Sequence, residues 1–390
     1  MGNNKYFKTT KYRRRKPGKV NSLLNEKLEK VEWGEFKIGE LFEIDSYKKR
    51  FDANKVNILK IGNFPYIVRM GSNNGQKGFI IEDEIYLNEG NTISFGQDTA
   101  TIFYQKIPYF TGDKIKIVIA KDKRFNDKNA QFFISTMIKS FSSFSWGSSN
   151  FNVLTIKNQK ITLPISKIGE IDFEYMDSII AEIETVRILK LEAYLLANGL
   201  KNYNLTVEEQ KVLDDFETSE FEKFNIVEIF EVKNTKSILS RDIVENSGER
   251  PYLCASAENN AVGTYTSFDE KYLDNGNCVF IGGKTFVVTY QEKDFFSNDS
   301  HNIALYLKNT EERNKLNQLY LATCVNKSLG HKYTWGDSIS GRKIQTDKVS
   351  LPIKNDKPDY EIMSTLISAI QKLVIKDVVL YVDQKLGVAK

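Results

Sequence analysis

The stretch Phe36-Lys37-Ile38-Gly39-Glu40-Leu41-Phe42-Glu43-Ile44 returns as Phe224-Asn225-Ile226-Val227-Glu228-Ile229-Phe230-Glu231-Val232, 188 residues further on. Other matches follow in the same order. Pro65-Tyr66 pairs with Pro251-Tyr252, Asn73-Asn74 with Asn259-Asn260, Tyr104-Gln105 with Tyr290-Gln291, and Asp113 with Asp299, all at an offset of 186. Trp146-Gly147 matches Trp335-Gly336 at 189, and Leu163-Pro164-Ile165 matches Leu351-Pro352-Ile353 at 188. Collinear matches at one drifting offset are the signature of a tandem duplication, with the drift absorbed by loop insertions.

Each copy divides into two parts. The first spans 33–168 and 221–356, and reads as short alternating strands separated by Gly/Asn turns, interrupted once by a helix. Those helices are expected over Ala130 to Ser140 and Lys315 to Lys327. The second part is one long helix in each copy, over 169–200 and 357–390. Met176, Ile180 and Ile183 recur at spacings of four and three, as do Met363, Ile367 and Ile370, so each helix carries an apolar stripe. The simplest way to bury two such stripes is against each other, as an antiparallel coiled coil. Residues 1–32 form a basic arm and a short leader helix, and 201–220 a connector in which Thr206-x-x-Glu209 has capping-box spacing. The fold class expected is α+β: two tandem domains of short strands plus helices, joined by two long helices. Phe42/Phe230 and Trp146/Trp335 read as shared core positions.

Charge is unevenly distributed. Residues 1–19 hold eight cations, among them Arg13, Arg14 and Arg15, and no acid. The whole chain of 390 residues is only +4, so residues 20–390 are net −4. A concentrated basic arm is the composition of a segment that meets phosphates. Three cysteines without a CxxC pair exclude a disulfide framework and fit a reducing, cytoplasmic setting. Apolar runs are strand-length, so no membrane span is expected.

Catalytic signatures are missing. The two histidines, His301 and His331, have no cysteine or second histidine at metal-ligand spacing. Asp299-Ser300-His301 has the letters of a triad but lacks a nucleophile elbow. Gly282-Gly283-Lys284-Thr285 resembles the end of a phosphate loop, yet Cys278 stands where the first glycine belongs. No glycine-rich cofactor loop or Asp/Asn-Pro-Pro-aromatic segment of a DNA methylase is present. The chain is expected to catalyse nothing and to hold no metal.

Two non-catalytic globules, each followed by a long helix, resemble the DNA-specificity (S) subunits of type I and type IIB restriction–modification systems. The likeness covers 33–386 and rests on the nine-residue repeat, the Asn-Asn turn, Tyr104-Gln105 and the Leu-Pro-Ile exit. It implies two target recognition domains separated by a coiled coil, and double-stranded DNA as ligand. The implied partners are methyltransferase or fused methyltransferase–nuclease subunits. AdoMet would sit in that partner, leaving this chain without a cofactor. Met176, Ile180, Ile183, Met363, Ile367 and Ile370 become candidate partner-docking residues.

Divergent polar positions on a shared core are what two readers of different bases need, since base-edge donors and acceptors carry the code. Asp98 faces Lys284, Ser148 faces Asp337, and Asn150 to Leu154 faces Ile339 to Lys343. The DNA-contact candidates are therefore the arm arginines, Asn73, Asn74, Gln97, Asp98, Ser148, Asn259, Asn260, Lys284, Thr285, Asp337, Arg342 and Lys343. The residues alone leave two other classes open. One is a duplicated protein-interaction scaffold, favoured by the acidic body; the other is a standalone DNA-binding protein without restriction partners.

Overall fold

A computed structural model describes residues 22–142 and 151–387. The arm arginines Arg13, Arg14 and Arg15, together with Trp146 and Ser148, lie outside the described residues. The chain divides into two compact units, 1–189 and 190–390.

The first unit opens with α1 (Ser22–Lys30), β1 (Glu32–Lys37), the single turn α2 (Ile38–Leu41) and β2 (Phe42–Ser46). Then come β3 (Pro65–Ile67), β4 (Gln76–Phe79), β5 (Thr92–Gly96), β6 (Ile102–Gln105), β7 (Phe110–Thr111) and β8 (Ile115–Ala120). It continues with α3 (Ala130–Phe141), α4 (Val153–Asn158), β9 (Lys160–Ile165) and the long helix α5 (Phe173–Ala197), whose last turns fall in the second unit. A four-stranded antiparallel sheet, order β2-β8-β5-β6, carries the core; β4-β3-β7 form a smaller sheet beside it. Every residue of β5 is buried, as expected for a central strand with both faces covered. α3 presents Ala130, Phe133, Ile134, Met137 and Phe141 at helical spacing to the core. There Phe42 meets Phe125 and Phe133 edge-on, at 5.7 and 5.3 Å.

The second unit repeats this plan. Its elements are α6 (Val207–Asp215), β10 (Phe221–Asn225), α7 (Ile226–Ile229), β11 (Phe230–Asn234), β12 (Arg250–Leu253), β13 (Val262–Thr266), β14 (Cys278–Gly282) and β15 (Val287–Gln291). They continue as β16 (Phe296–Ser297), β17 (Ile303–Leu307), α8 (Lys315–Leu329), β18 (Lys348–Lys354), β19 (Lys357–Pro358) and α9 (Tyr360–Leu386). The sheets are ordered β11-β17-β14-β15 and β13-β12-β16, strand for strand the arrangement of the first unit. In each unit the first and last strands of the globule pair antiparallel, Glu32 opposite Ile165 and Phe221 opposite Pro352.

The long helices start and stop where local chemistry dictates. Asp172 and Asp359 cap them by accepting from Tyr175 N at 2.9 Å and Ile362 N at 3.0 Å. Gly199 and Gly387 end them with positive φ, 66° and 69°. Their buried stripes differ from the expected ones. Met176 and Met363 are wholly buried in the cores of their own globules, and Ile367 packs against the second core. On α9 the buried set is Met363, Leu366, Ala369, Val379 and Val382, while Ile370 is exposed. The first turns of each helix are thus occupied by their globule. Of the proposed docking residues, Ile180 and Ile183 are half-buried and only Ile370 stands clear.

Each leader helix is tied to its long helix. In the first unit Lys27 contacts Glu182 at 2.5 Å, and Tyr175 donates to the Lys27 carbonyl at 3.0 Å. In the second, Glu209 completes the capping box on Thr206 and also accepts from Ser368 and Lys372, at 2.6 and 2.7 Å. Lys201 joins Glu192 to Asp383, at 2.6 and 2.5 Å, fastening the end of α5 to the end of α9.

Candidate nucleic-acid interface

The equivalent turns β5–β6 and β14–β15 project from the central strand of each main sheet and carry the first divergent pair, Asp98 and Lys284. In the first unit the Asp98 carboxylate accepts from Arg69 at 2.5 Å and from Lys114 at 2.8 Å. Arg69 also reaches Asp113 (3.9 Å), which meets Arg50 at 3.4 Å. The result is an alternating ladder: Arg50, Asp113, Arg69, Asp98, Lys114. The hydrogen bond from Lys114, helped by Arg69, holds the Asp98 carboxyl below the usual range against the opposing effect of burial. Asp98, a DNA-contact candidate from the sequence, is therefore an anchor for two cations.

The ladder edges a cleft of about 520 Å³ lined by Arg50, Phe51, Tyr66, Arg69, Lys77, Thr99 and Asp113. Its floor is rigid. The Tyr66 hydroxyl donates to the Phe51 carbonyl at 2.6 Å, and burial pushes its pKa up to about 12. The ion pairs are half-exposed and individually weak, so trading them for a phosphate or a base edge costs little.

In the second unit the repeat replaces Arg50, Arg69, Lys77 and Lys114 by Ser237, Ala255, Gly263 and Ser300. Lys284 lies 3.2 Å from Asp299, which also accepts from the backbone N–H and Nδ1 of His301 at 2.9 and 2.7 Å. Burial pushes Asp299 up, but these His301 and Lys284 contacts outweigh it and hold its carboxyl low. The Ser300 carbonyl accepts from Asn234, so Asp299-Ser300-His301 is a turn and not a triad. Gly283 is no phosphate cradle: its N–H donates to Asn302, and a Cβ there would sit 2.3 Å from the His301 carbonyl.

Several sequence candidates have a folding job. Asn73, Asn74, Asn259 and Asn260 adopt left-handed backbone, φ 48–53°, which asparagine tolerates. Their amides brace the turn: Asn73 donates to Gln76 O and Asn259 to Val262 O, while Asn74 and Asn260 reach Tyr104 O and Tyr290 O. Gln105 and Gln291 return the bond to Asn74 O and Asn260 O. Gln97 donates to Phe151 O, and Thr285 to Ala255 O. Identity between the copies was the available signal, because a residue kept in both cannot distinguish two base sequences.

A second surface lies on the loop from Gly330 to Arg342, between α8 and the short 3₁₀ turn Lys343–Thr346. Asp337 pairs with Lys343, whose ammonium also donates to Ser338 O at 2.9 Å. Arg342 is exposed; its carbonyl accepts from the Gln345 N–H at 3.4 Å, and its guanidinium makes no ion pair among the described residues. Trp335, expected in the core, is 79% exposed.

The sequence matches the family described as type I restriction modification DNA specificity domain twice, over residues 30–193 and 218–380. The chain belongs to that family. This specificity chain is 28% identical over 356 residues to the type II restriction enzyme BgcI specificity subunit S.BcgI of Heyndrickxia coagulans, covering 88% of this chain and 96% of that protein. Its fold is similar to that of a type I restriction–modification S subunit from M. genitalium, with a TM-score of 0.59 at 16% identity, covering 92% and 93% of the two chains. The second matched stretch lies within the second unit and the first lies in the first unit except for its last four residues, and the chain is a specificity subunit of a restriction–modification system. Among the described residues no helix is long and apolar enough to cross a membrane.

Proposed function

We propose that each specificity domain reads one half of a bipartite, asymmetric site in double-stranded DNA. The chain thereby directs a partner methyltransferase, alone or fused to a nuclease, to that site. The partner holds AdoMet and performs the chemistry in the cytoplasm, while this chain supplies the address. The two long helices act as the spacer between half-sites, and the arginines of the N-terminal arm add sequence-independent affinity for phosphates.

One observation carries the reading. On the same strand–turn–strand frame, the first unit presents a cationic ladder around Asp98 and the second presents Lys284 over Asp299. Different donors and acceptors on one scaffold are what reading two different base sequences requires. The test is to map methylated positions across the genome of cells carrying this chain with its partner. The expected result is two unrelated half-sites at a fixed separation, with no methylation or cleavage by the purified chain alone. A single continuous palindrome would overturn the two-reader assignment.

A further inference from the structure

We propose that the Trp335 indole is a sequence-independent DNA contact, its ring face packing on a base or deoxyribose of the second half-site. The inference rests on the DNA-reading function above and assigns a division of labour within it.

Three observations meet at this residue. The first is presentation. Thr334 and Asp337 exchange backbone hydrogen bonds at 3.3 and 3.1 Å, closing a tight turn with Trp335 and Gly336 at its tip. The turn stands on a firm base. Tyr333 is buried and stacked on Phe286, with centroids 5.4 Å apart and planes at 26°. Its hydroxyl bonds Asp347 at 2.5 Å, and the same buried carboxylate takes Lys332. Ile339 and Ile344 anchor the far side of the loop in the core. A large aromatic ring held out on a rigid mount loses little conformational freedom on binding.

The second is the lack of a folding reason for either tip residue. Trp335 is 79% exposed. Gly336 has no positive φ, and beyond its two chain neighbours no atom lies within 4 Å of where a Cβ would be. Yet the pair is repeated as Trp146-Gly147 in the first copy, within Phe144-Ser145-Trp146-Gly147-Ser148-Ser149 against Tyr333-Thr334-Trp335-Gly336-Asp337-Ser338. Packing explains the other shared positions but not this one. A bare glycine beside the ring leaves its flank open to a flat ligand.

The third is charge. On the segment that carries the tip, Lys332 is paired with the buried Asp347 and Lys343 with Asp337, which leaves the exposed Arg342 guanidinium as the uncompensated charge. One net positive charge beside the ring, in a body of net −4, favours a phosphate-bearing ligand. Being common to two domains that differ in their readout, the indole cannot encode the difference. Stacking is the interaction that tolerates any base, because every base has a π face.

The experiment uses the intact complex of this chain with its methyltransferase and compares wild type, Trp335→Ala and Trp335→Phe. Affinity is measured on cognate and scrambled duplexes, alongside the methylated sequence and the recovery of partner in the complex. The alanine variant should bind both duplexes about 10- to 100-fold more weakly. The phenylalanine variant should recover most of that loss, and the methylated sequence should not change. Unchanged affinity, or a changed recognition sequence, would overturn the assignment. So would reduced recovery of the methyltransferase, which would make the turn a protein-docking element. A wild-type complex that fails to distinguish cognate from scrambled DNA would instead overturn the DNA-reading function.

Discussion

The two units solve the same folding problem with the same strands, and they differ most where they face outward. Around the β5–β6 turn the first unit places Arg50, Arg69, Lys77 and Lys114; at the matching positions the second has only serine, alanine and glycine. The second recovers cationic character elsewhere, at Lys284 and on the loop that carries Arg342 and Lys343. Inside, by contrast, Tyr66 and Tyr252 both donate to a carbonyl of the preceding loop, at 2.6 and 2.7 Å. The lesson is physical. Buried hydrogen bonds are expensive to change singly, whereas half-exposed ion pairs are cheap, so divergence collects in the latter.

The comparison extends to the leader helices and can be broken there most sharply. Glu209 is tied to Lys372 with both side chains largely buried, at 7% and 18% exposure, whereas Lys27 and Glu182 are 47% and 34% exposed. Removing one member of a buried pair strands the other. Glu209→Ala should destabilise the second unit by about 3 kcal/mol in denaturant melts, including about 1 kcal/mol for the lost cap. Glu182→Ala should cost about 0.5 kcal/mol or less. Burial pushes the Glu209 carboxyl up, but Lys372, Ser368 and the Thr206 N–H outweigh it and hold it below the ordinary range. A depressed carboxylate stabilises fully above its unfolded value, near pH 4.3, and loses that contribution as pH falls through the folded one. Acid melts of wild type and Glu209→Ala should therefore draw together as pH falls below the unfolded value and through the lowered folded one. Equal losses for the two substitutions would erase the contrast between the units.

A smaller effect should sharpen the contrast in readout. Arg69→Ala removes the central rung of the ladder and leaves Asp98 and Asp113 facing an incoming phosphate backbone. Methylation should drop about 10- to 100-fold at sites selected by the first half, with the second half-site unchanged in a genome-wide map. Smaller again is Lys284→Ala. That ammonium is well exposed, so relaxation of the second half-site by about fivefold is expected, with the first intact. Either substitution altering both half-sites would mean the units do not read independently.

Much of the fold was legible because its signals are local or repeated. The capping box at Thr206 depends on residues three positions apart, and the duplication shows as matches at one drifting offset. What escaped depends on meetings across the chain. Asp98 finds its cations on two other segments, 29 and 16 residues away. Glu209 finds Lys372 at a separation of 163. The helix stripes were mis-phased because Met176 and Met363 fit any apolar pattern, and only the globules decide which turns are occupied. Trp335 misled for a related reason: hydrophobicity predicts burial on average, and an aromatic held in solvent violates that average without leaving a mark in its own letters.

The pairing of the first and last strands within each globule has a consequence for heredity. Because Glu32 lies opposite Ile165, and Phe221 opposite Pro352, each globule leaves its helical frame and returns to it at neighbouring points. A crossover at those two points can exchange the whole insert while the frame keeps its geometry. Such a gene can exchange one globule in a single recombination event and leave the helices that flank it unaltered.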